Sequence, residues 1–401
     1  MRKTLYLLLL IALFFSSCNT QKTAEELFEQ DKSGVVMVIN RFYYEIEISN
    51  GEKLYFTGLD ENGNLANVTA QLADIKGKEG MLTGTGFFID KQGTLLTNRH
   101  VVGTDIDENA VKQGLSRAIE QLAYYYQQYA GELQTQYDQL EASKSYNVET
   151  DIWGNETTTS EQQNAEIETQ QAELSNKYNQ LQGLIAYLTG GGVDINHVKI
   201  KVAVQLGVAY NGDNVSNPYG LISKNPCRLV NISTSYHDRM RVKGMDKYEI
   251  NAACQNPDDA DLAIIRLSNN MTPESAYVFH FIGDQPQDTS ILDFLKKEKS
   301  NKDLKIDQQL YMIGYNAGPT LAGNDQRIQA QLTSGKITQT TDGVRLLYSI
   351  PTVQGSSGSP VINEDGDVVA VNFAKLAVSD NFNFGIPIQK IRKFMGYRKS
   401  L

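Results

Sequence analysis

The chain has 401 residues, enough at roughly 150 per domain for two or three domains and a sizeable core. Hydrophobic residues make up 41% and charged residues 21%, which excludes both a disordered chain and a bundle of membrane spans. Acidic residues outnumber basic ones 47 to 37, a net charge of −10 without a basic run, and this argues against nucleic acid as a partner.

The N-terminus reads as a targeting segment. Arg2 and Lys3 precede an apolar run from Leu5 to Phe15. That run is too short for a membrane-spanning helix, which needs roughly 20 apolar residues, so residues 1–17 read as a signal peptide. The sequence Phe15-Ser16-Ser17-Cys18 resembles a bacterial lipoprotein signal, which implies lipidation of Cys18 and a polar tether over 18–22. Ordinary cleavage beside a free cysteine is the other reading. A lipid would hold the domain at a membrane surface of the bacterial cell envelope, periplasmic or outward-facing. Cys227 and Cys254 then remain, either as a disulfide in an oxidising compartment or as two buried thiols.

Thr23 to Asp31 has the pattern of a short helix leading into a first strand. Residues 23–105 and 191–401 carry short apolar or alternating runs, such as Val35-Val36-Met37-Val38-Ile39 and Lys199 to Val204, punctuated by Asn-Gly, Asp-Gly and Gly-Asp turns. Such a pattern predicts an all-β sandwich or barrel.

Residues 106–190 differ. All nine prolines lie after Asn217, so none interrupts a helix here. Apolar side chains recur at 3–4 spacing through Val111, Leu115, Ile119, Leu122, Tyr126, Tyr129 and Leu133, and again from Ile167 through Leu174, Tyr178, Leu181 and Ile185. Asp105…Glu108 and Ser160…Gln163 have capping-box spacing, and Gly190-Gly191-Gly192 closes the second helix. The prediction is an antiparallel helical hairpin with a polar loop at about 143–160. Gly114, Gly131 and Gly183 each weaken it by about 1 kcal/mol relative to Ala.

The segments that carry chemistry follow. Gly84-Thr85-Gly86-Phe87-Phe88-Ile89 precedes Thr97-Asn98-Arg99-His100-Val101-Val102; later come Asp261-Leu262-Ala263 and Gly355-Ser356-Ser357-Gly358-Ser359-Pro360. Taken singly, each has a bland reading as a turn, a core histidine or surface charge. Together, in the order His…Asp…Ser, they resemble trypsin-like (chymotrypsin-fold) serine proteases, nearest the bacterial HtrA/Deg branch, over about 30–105 and 191–395. The resemblance implies a mainly β fold of two six-stranded antiparallel β-barrels, interrupted by the long helical hairpin. It implies Ser357 as nucleophile, His100 as general base and Asp261 as the group orienting the imidazole. The N–H groups of Gly355 and Ser357 would form the oxyanion hole.

Departures from the pattern are specific. His100 and Asp261 lie 161 residues apart; without the 83 residues of 107–189 the gap is 78, which predicts a further loop at 205–225. Ser356 and Ser359 stand where the family more often has Asn and Gly, which puts the oxyanion-hole geometry in question. Pro351, six residues before Ser357, supplies no acid to a specificity pocket whose other wall is expected from Val371, Asn372, Phe373 and Ala374. A small or aliphatic side chain is therefore expected ahead of the cleaved bond. No His, Cys or carboxylate cluster has metal-ligand spacing, and no cofactor is expected. The leading reading is an envelope endopeptidase acting on protein or peptide substrates. The other is a protease-like binding protein working through the hairpin, which would serve a partner or self-association.

Overall fold

The computed structural model describes residues 22–48, 51–160, 162–233, 260–283, 304–321, 327–339, 345–375 and 383–396. The leader, Cys18 and Cys254 lie outside them. In chain order the strands are β1 (Val35–Glu47), β2 (Lys53–Phe56), β3 (Gly58–Leu59), β4 (Leu65–Ala66), β5 (Gly80–Phe88), β6 (Thr94–Thr97), β7 (Tyr146–Thr150), β8 (Glu156–Ser160) and β9 (Lys199–Tyr210). They continue with β10 (Pro226–Ile232), β11 (Ala263–Leu267), β12 (Gln309–Gly314), β13 (Gln331–Gln339), β14 (Leu346–Tyr348), β15 (Pro360–Ile362), β16 (Val368–Lys375) and β17 (Asn383–Pro387). Helices are α1 (Ala24–Asp31), α2 (Arg99–Val102), α3 (Glu108–Ala142), α4 (Gln162–Thr189), α5 (Pro218–Lys224) and α6 (Ile388–Phe394).

Two six-stranded barrels form, as expected. The first sheet runs β2-β1-β5-β6-β11-β10-β9, and a further pairing of β1 with β9 closes six of its strands into a ring. The second barrel closes in the order β12-β13-β14-β17-β16-β15. The unbroken apolar run at the start of β1 has a simple cause: both of its faces are covered. Val36 and Val38 join one buried cluster with Phe88, Leu95 and Ile265. Val35, Met37 and Ile39 join another with Phe87 and Leu96. Burying each such side chain stabilises the fold by about 1.5–3 kcal/mol. Between β9 and β10, α5 starts at Pro218 with Asn217 Oδ1 accepting the Gly220 N–H, and this helix supplies part of the extra length expected at 205–225.

Two compact units divide the chain. One comprises Met1–Arg41, Met81–Thr104 and Val204–Leu401; the other comprises Phe42–Gly80 and Asp105–Ala203. In the second unit the hairpin begins two residues later than the spacing suggested. Asp107, rather than Asp105, caps α3, its Oδ1 accepting the N–H groups of Asn109 and Ala110 at 2.9 and 3.2 Å. At the root of α3, Val111 and Leu115 pack with Tyr44, Ile46, Phe56 and Leu65. Gly114 has a packing reason to be glycine: a Cβ there would lie 2.9 Å from Gly63 O. Further along, the seam uses small residues. Ala123 and Ala130 are buried, while Leu122 and Tyr129 are 41% and 39% exposed. Gly191, at φ +80°, turns the chain out of α4, and the Gly190 and Gly192 N–H groups bond Ala186 O and Tyr187 O.

Where a polar loop was expected, the arm ends in a two-stranded antiparallel ribbon, β7 with β8, in the register Tyr146↔Ser160 to Thr150↔Glu156. Threonines facing Val148 and Glu149 supply β-branched residues that favour a pleated surface.

In the first unit, β5 meets the loop between β14 and β15 through Thr85. Its N–H donates to Ser357 O at 2.8 Å, and its Oγ1 donates to Gly355 O at 2.9 Å while accepting the Tyr315 N–H at 3.0 Å. Thr85 O in turn accepts from Thr97 Oγ1 at 2.7 Å. No side chain fits between these segments: a Cβ on Gly358, which sits at φ +88°, would lie 2.0 Å from Thr85 O. Gly358→Ala is therefore expected to destabilise by about 3 kcal/mol, from backbone strain plus collision. Gly366→Ala shares a positive φ (+87°) but has its nearest neighbour at 3.4 Å, and should cost only about 1 kcal/mol. Thermal or urea unfolding of the two variants checks the difference.

Candidate active site

His100 stands at the start of the first barrel's shortest helix. Strand β6 ends at Thr97, Asn98 turns the chain, and α2 follows, with Val101 and Val102 fixed by burial in the core. Asn98 is buried and donates its amide to Asp261 O at 2.7 Å, so the turn carrying the histidine is tied to the segment carrying the aspartate. Ser233 holds that segment from the other side: its N–H donates to Leu262 O at 2.9 Å and its Oγ accepts the Leu262 N–H at 3.2 Å. Arg99 also donates to Ser233 O. Buried Leu262 and Ala263 lead into β11, which pairs with β6 in the register Ala263↔Thr97. Sheet pairing therefore brings together residues 161 positions apart.

The carboxylate of Asp261 contacts His100 twice. Oδ1 accepts the His100 backbone N–H at 3.0 Å, and Oδ2 lies 2.5 Å from ring Nδ1. The ring contact places a proton on Nδ1 and leaves Nε2 as the acceptor, the tautomer a general base needs. Burial opposes the imidazolium, but the hydrogen bond and charge of Asp261 outweigh it, and the His100 pKa lies above its ordinary value. Half of the side chain remains exposed, at 49%, so a substrate can reach it.

Ser357 lies between two glycines in left-handed conformations, Gly355 at φ +94° and Gly358 at φ +88°. Only glycine takes those angles without strain, and at Gly355 a Cβ would lie 2.4 Å from Tyr315 O. Ser356 is turned inward; its Oγ donates to Val353 O at 2.6 Å and accepts the Val353 N–H at 3.2 Å. The small residue at this position thus braces the turn. Ser359 is fully buried, and its Oγ has no partner. Among the described residues neither the Gly355 N–H nor the Ser357 N–H is spent on a protein acceptor, and Ser357 Oγ makes no hydrogen bond with His100.

The expected pocket wall divides by orientation. Val371 is fully buried in the core cluster with Ile386 and Ile388. Asn372 is equally buried, with Oδ1 accepting from Tyr348 OH at 2.7 Å and Thr352 Oγ1 at 3.1 Å. Its Nδ2 donates to Ser356 O and Ser356 Oγ at 3.0 and 3.2 Å. Phe373 is half-buried, its ring 6.3 Å from that of Phe384. The Ala374 side chain lies outside the description. Cys227 is half-buried on β10, and burial pushes its thiol up to about 12. Sequence reasoning did not give roles to Thr85, Asn98 and Ser356; each sits within one or two residues of a motif glycine or motif histidine, which was the available signal. Among the described residues no group of His, Cys, Asp and Glu could hold a metal ion.

Comparison with known proteins finds likeness over part of the chain. A family model described as a trypsin-like peptidase domain matches residues 223–371, a stretch that holds Asp261 and Ser357 and begins after His100. No curated protein sequence matches. Among solved structures, a serine endoprotease from Yersinia pestis aligns at 12% identity and a TM-score of 0.36, covering 94% of this chain and 66% of that one, just under two thirds of its length. The M. tuberculosis protein Rv3671c, in an inactive mutant form, aligns at 11% identity and a TM-score of 0.36, covering 96% of this chain and 98% of that one. At such identities and scores neither neighbour carries an argument about activity. Residues 223–371 are similar to a trypsin-like peptidase domain, and the two six-stranded barrels around them are the fold such a domain takes.

Proposed function

We propose that the protein is a serine endopeptidase of the bacterial cell envelope, of the HtrA/Deg type, held at the membrane surface by a lipid on Cys18. The observation that carries the catalytic reading is the double hold of Asp261 on His100, at backbone N–H and ring Nδ1. In this reading Nε2 removes the Ser357 proton as Oγ attacks the substrate carbonyl. The imidazolium formed is stabilised by Asp261 and then protonates the leaving amine; water hydrolyses the acyl-enzyme by the same path. The free N–H groups of Gly355 and Ser357 would receive the oxyanion, each contributing about 3–4 kcal/mol. Pro351 and Phe373 bring no charge to the expected pocket wall, which supports a preference for small or aliphatic side chains.

One observation favours a second reading, a protease-like binding protein without turnover. Ser357 Oγ makes no hydrogen bond with His100. Catalytic hydrogen bonds often tighten only with substrate, so the endopeptidase reading is preferred.

A fluorophosphonate probe separates the two. Wild type is expected to label at Ser357 and to cleave denatured casein, while Ser357→Ala and His100→Ala abolish labelling with the fold intact by circular dichroism. A folded wild type that neither labels nor cleaves, with the same result after deletion of the hairpin, counts against the endopeptidase reading.

The pH profile gives an independent check. The base must be neutral, so activity is lost as pH falls through the His100 pKa, which Asp261 holds above about 6.5. Asp261→Asn removes the raising interaction. Its acid limb should move to lower pH, and kcat should fall by about three to four orders of magnitude. An acid limb that stays in place would remove His100 and Asp261 from those roles.

A further inference from the structure

The tip of the helical arm carries side chains that neither the fold nor the proposed chemistry uses. Ile152 and Trp153 are 93% and 83% exposed, and Trp153 is the only tryptophan of the chain. The turn that bears them is braced by Asp151. Asp151 Oδ1 accepts the N–H groups of Trp153 and Asn155, each at 2.8 Å, and its Oδ2 accepts from Asn155 Nδ2 at 2.9 Å. The Asp151 N–H donates to Asn155 O, the Gly154 N–H donates to Asp151 O, and Gly154 supplies φ +86°. These bonds hold the Asp151 carboxyl below the usual range, so it stays charged.

The ribbon behind the turn is fastened to the helices. Asn164, nearly fully buried on α4, accepts the Ser145 N–H at 3.0 Å and donates to Ser145 O at 2.5 Å. Glu141 links Lys144 at 2.8 Å and Gln171 at 2.8 Å across the two helices. A flexible linker needs none of this. Two large apolar side chains held outward on a braced turn are arranged as an anchor that enters a pocket on another molecule, where aromatic anchors contribute most of the binding energy.

Charge selects the occupant. Glu149, Asp151 and Glu156 flank the anchor, and no Lys, Arg or His occurs from Ser145 to Asn176. An anionic membrane surface repels such a tip, and so does a second copy of this chain, whose net charge is −10. We propose that the Ile152–Trp153 tip docks into an apolar cleft rimmed by Lys or Arg on a different protein.

The test uses the full chain in its native cells, with Ile152→p-benzoylphenylalanine as a photo-cross-linker and mass spectrometry to map the adduct. The expected adduct lies on one other protein, at an apolar segment flanked by Lys or Arg. Trp153→Ser should lower its yield about tenfold or more. Glu149→Lys with Glu156→Lys, which leaves Asp151 and its turn in place, should lower it several-fold; circular dichroism and thermal unfolding of the purified variants report whether they are still folded. With the purified wild type, addition of the mapped partner should shift Trp153 emission to the blue. Vesicles of phosphatidylcholine, with or without phosphatidylglycerol, should leave it unchanged. An adduct on a second copy or on lipid, a vesicle-induced shift, no adduct at all, or a yield indifferent to the charge reversals would each overturn the proposal.

Discussion

The contact on which the candidate site depends is the approach of β5 to the serine loop, with Thr85 as the polar intermediary. Gly84 and Gly358 leave no room for a methyl group on either side. Within that gap one threonine engages Ser357 O, Gly355 O, the Tyr315 N–H and Thr97 Oγ1. Every one of these groups is a backbone or hydroxyl dipole that would cost about 1–3 kcal/mol if buried without a partner. Satisfying them through one residue makes the position of Ser357 a property of the strand rather than of the loop. Asn372 completes the restraint from β16 by holding Ser356.

His100 is positioned by a different means. Where Ser357 is fixed by neutral dipoles, His100 is fixed by a charge, and the same carboxylate that orients the ring also raises its pKa. Geometry and proton affinity are therefore set by one residue, while Asn98 and Ser233 restrain the backbone that bears it. This separation means that a change near Ser357 disturbs placement alone, whereas a change near Asp261 disturbs placement and titration together.

Much of this could be read from residue order. The helical arm follows from 3–4 periodicity, and alternation with turn residues predicts a β sandwich or barrel. The choice of two six-stranded barrels, and the pairing of His100 with Asp261, came from the resemblance of the motifs to trypsin-like proteases. What escaped reading did so for physical reasons. The seam of α3 runs through Ala123 and Ala130 because helices that pack closely favour small side chains, whereas a search for large apolar residues selects Leu122 and Tyr129. Residues 146–158 look polar and loop-like because both faces of their ribbon meet water, so no buried stripe marks them. Asn372 was expected as pocket wall from the resemblance to trypsin-like proteases; that its amide is engaged by Tyr348, Thr352 and Ser356 depends on residues distant in sequence.

The arm also bears on how the chain reaches its fold. Its helices form from contacts local in sequence, and their antiparallel pairing brings the start of α3 and the end of α4 together. Once it has formed, the loop that must close to join Thr97 of β6 with Ala263 of β11 shortens from 165 residues by the 83 of the arm. Because closure entropy grows only with the logarithm of loop length, that difference is worth about 0.6 kcal/mol. A barrel can thus accept a long insertion between β6 and β11 with almost no penalty to its assembly, provided that the insertion folds on its own account first.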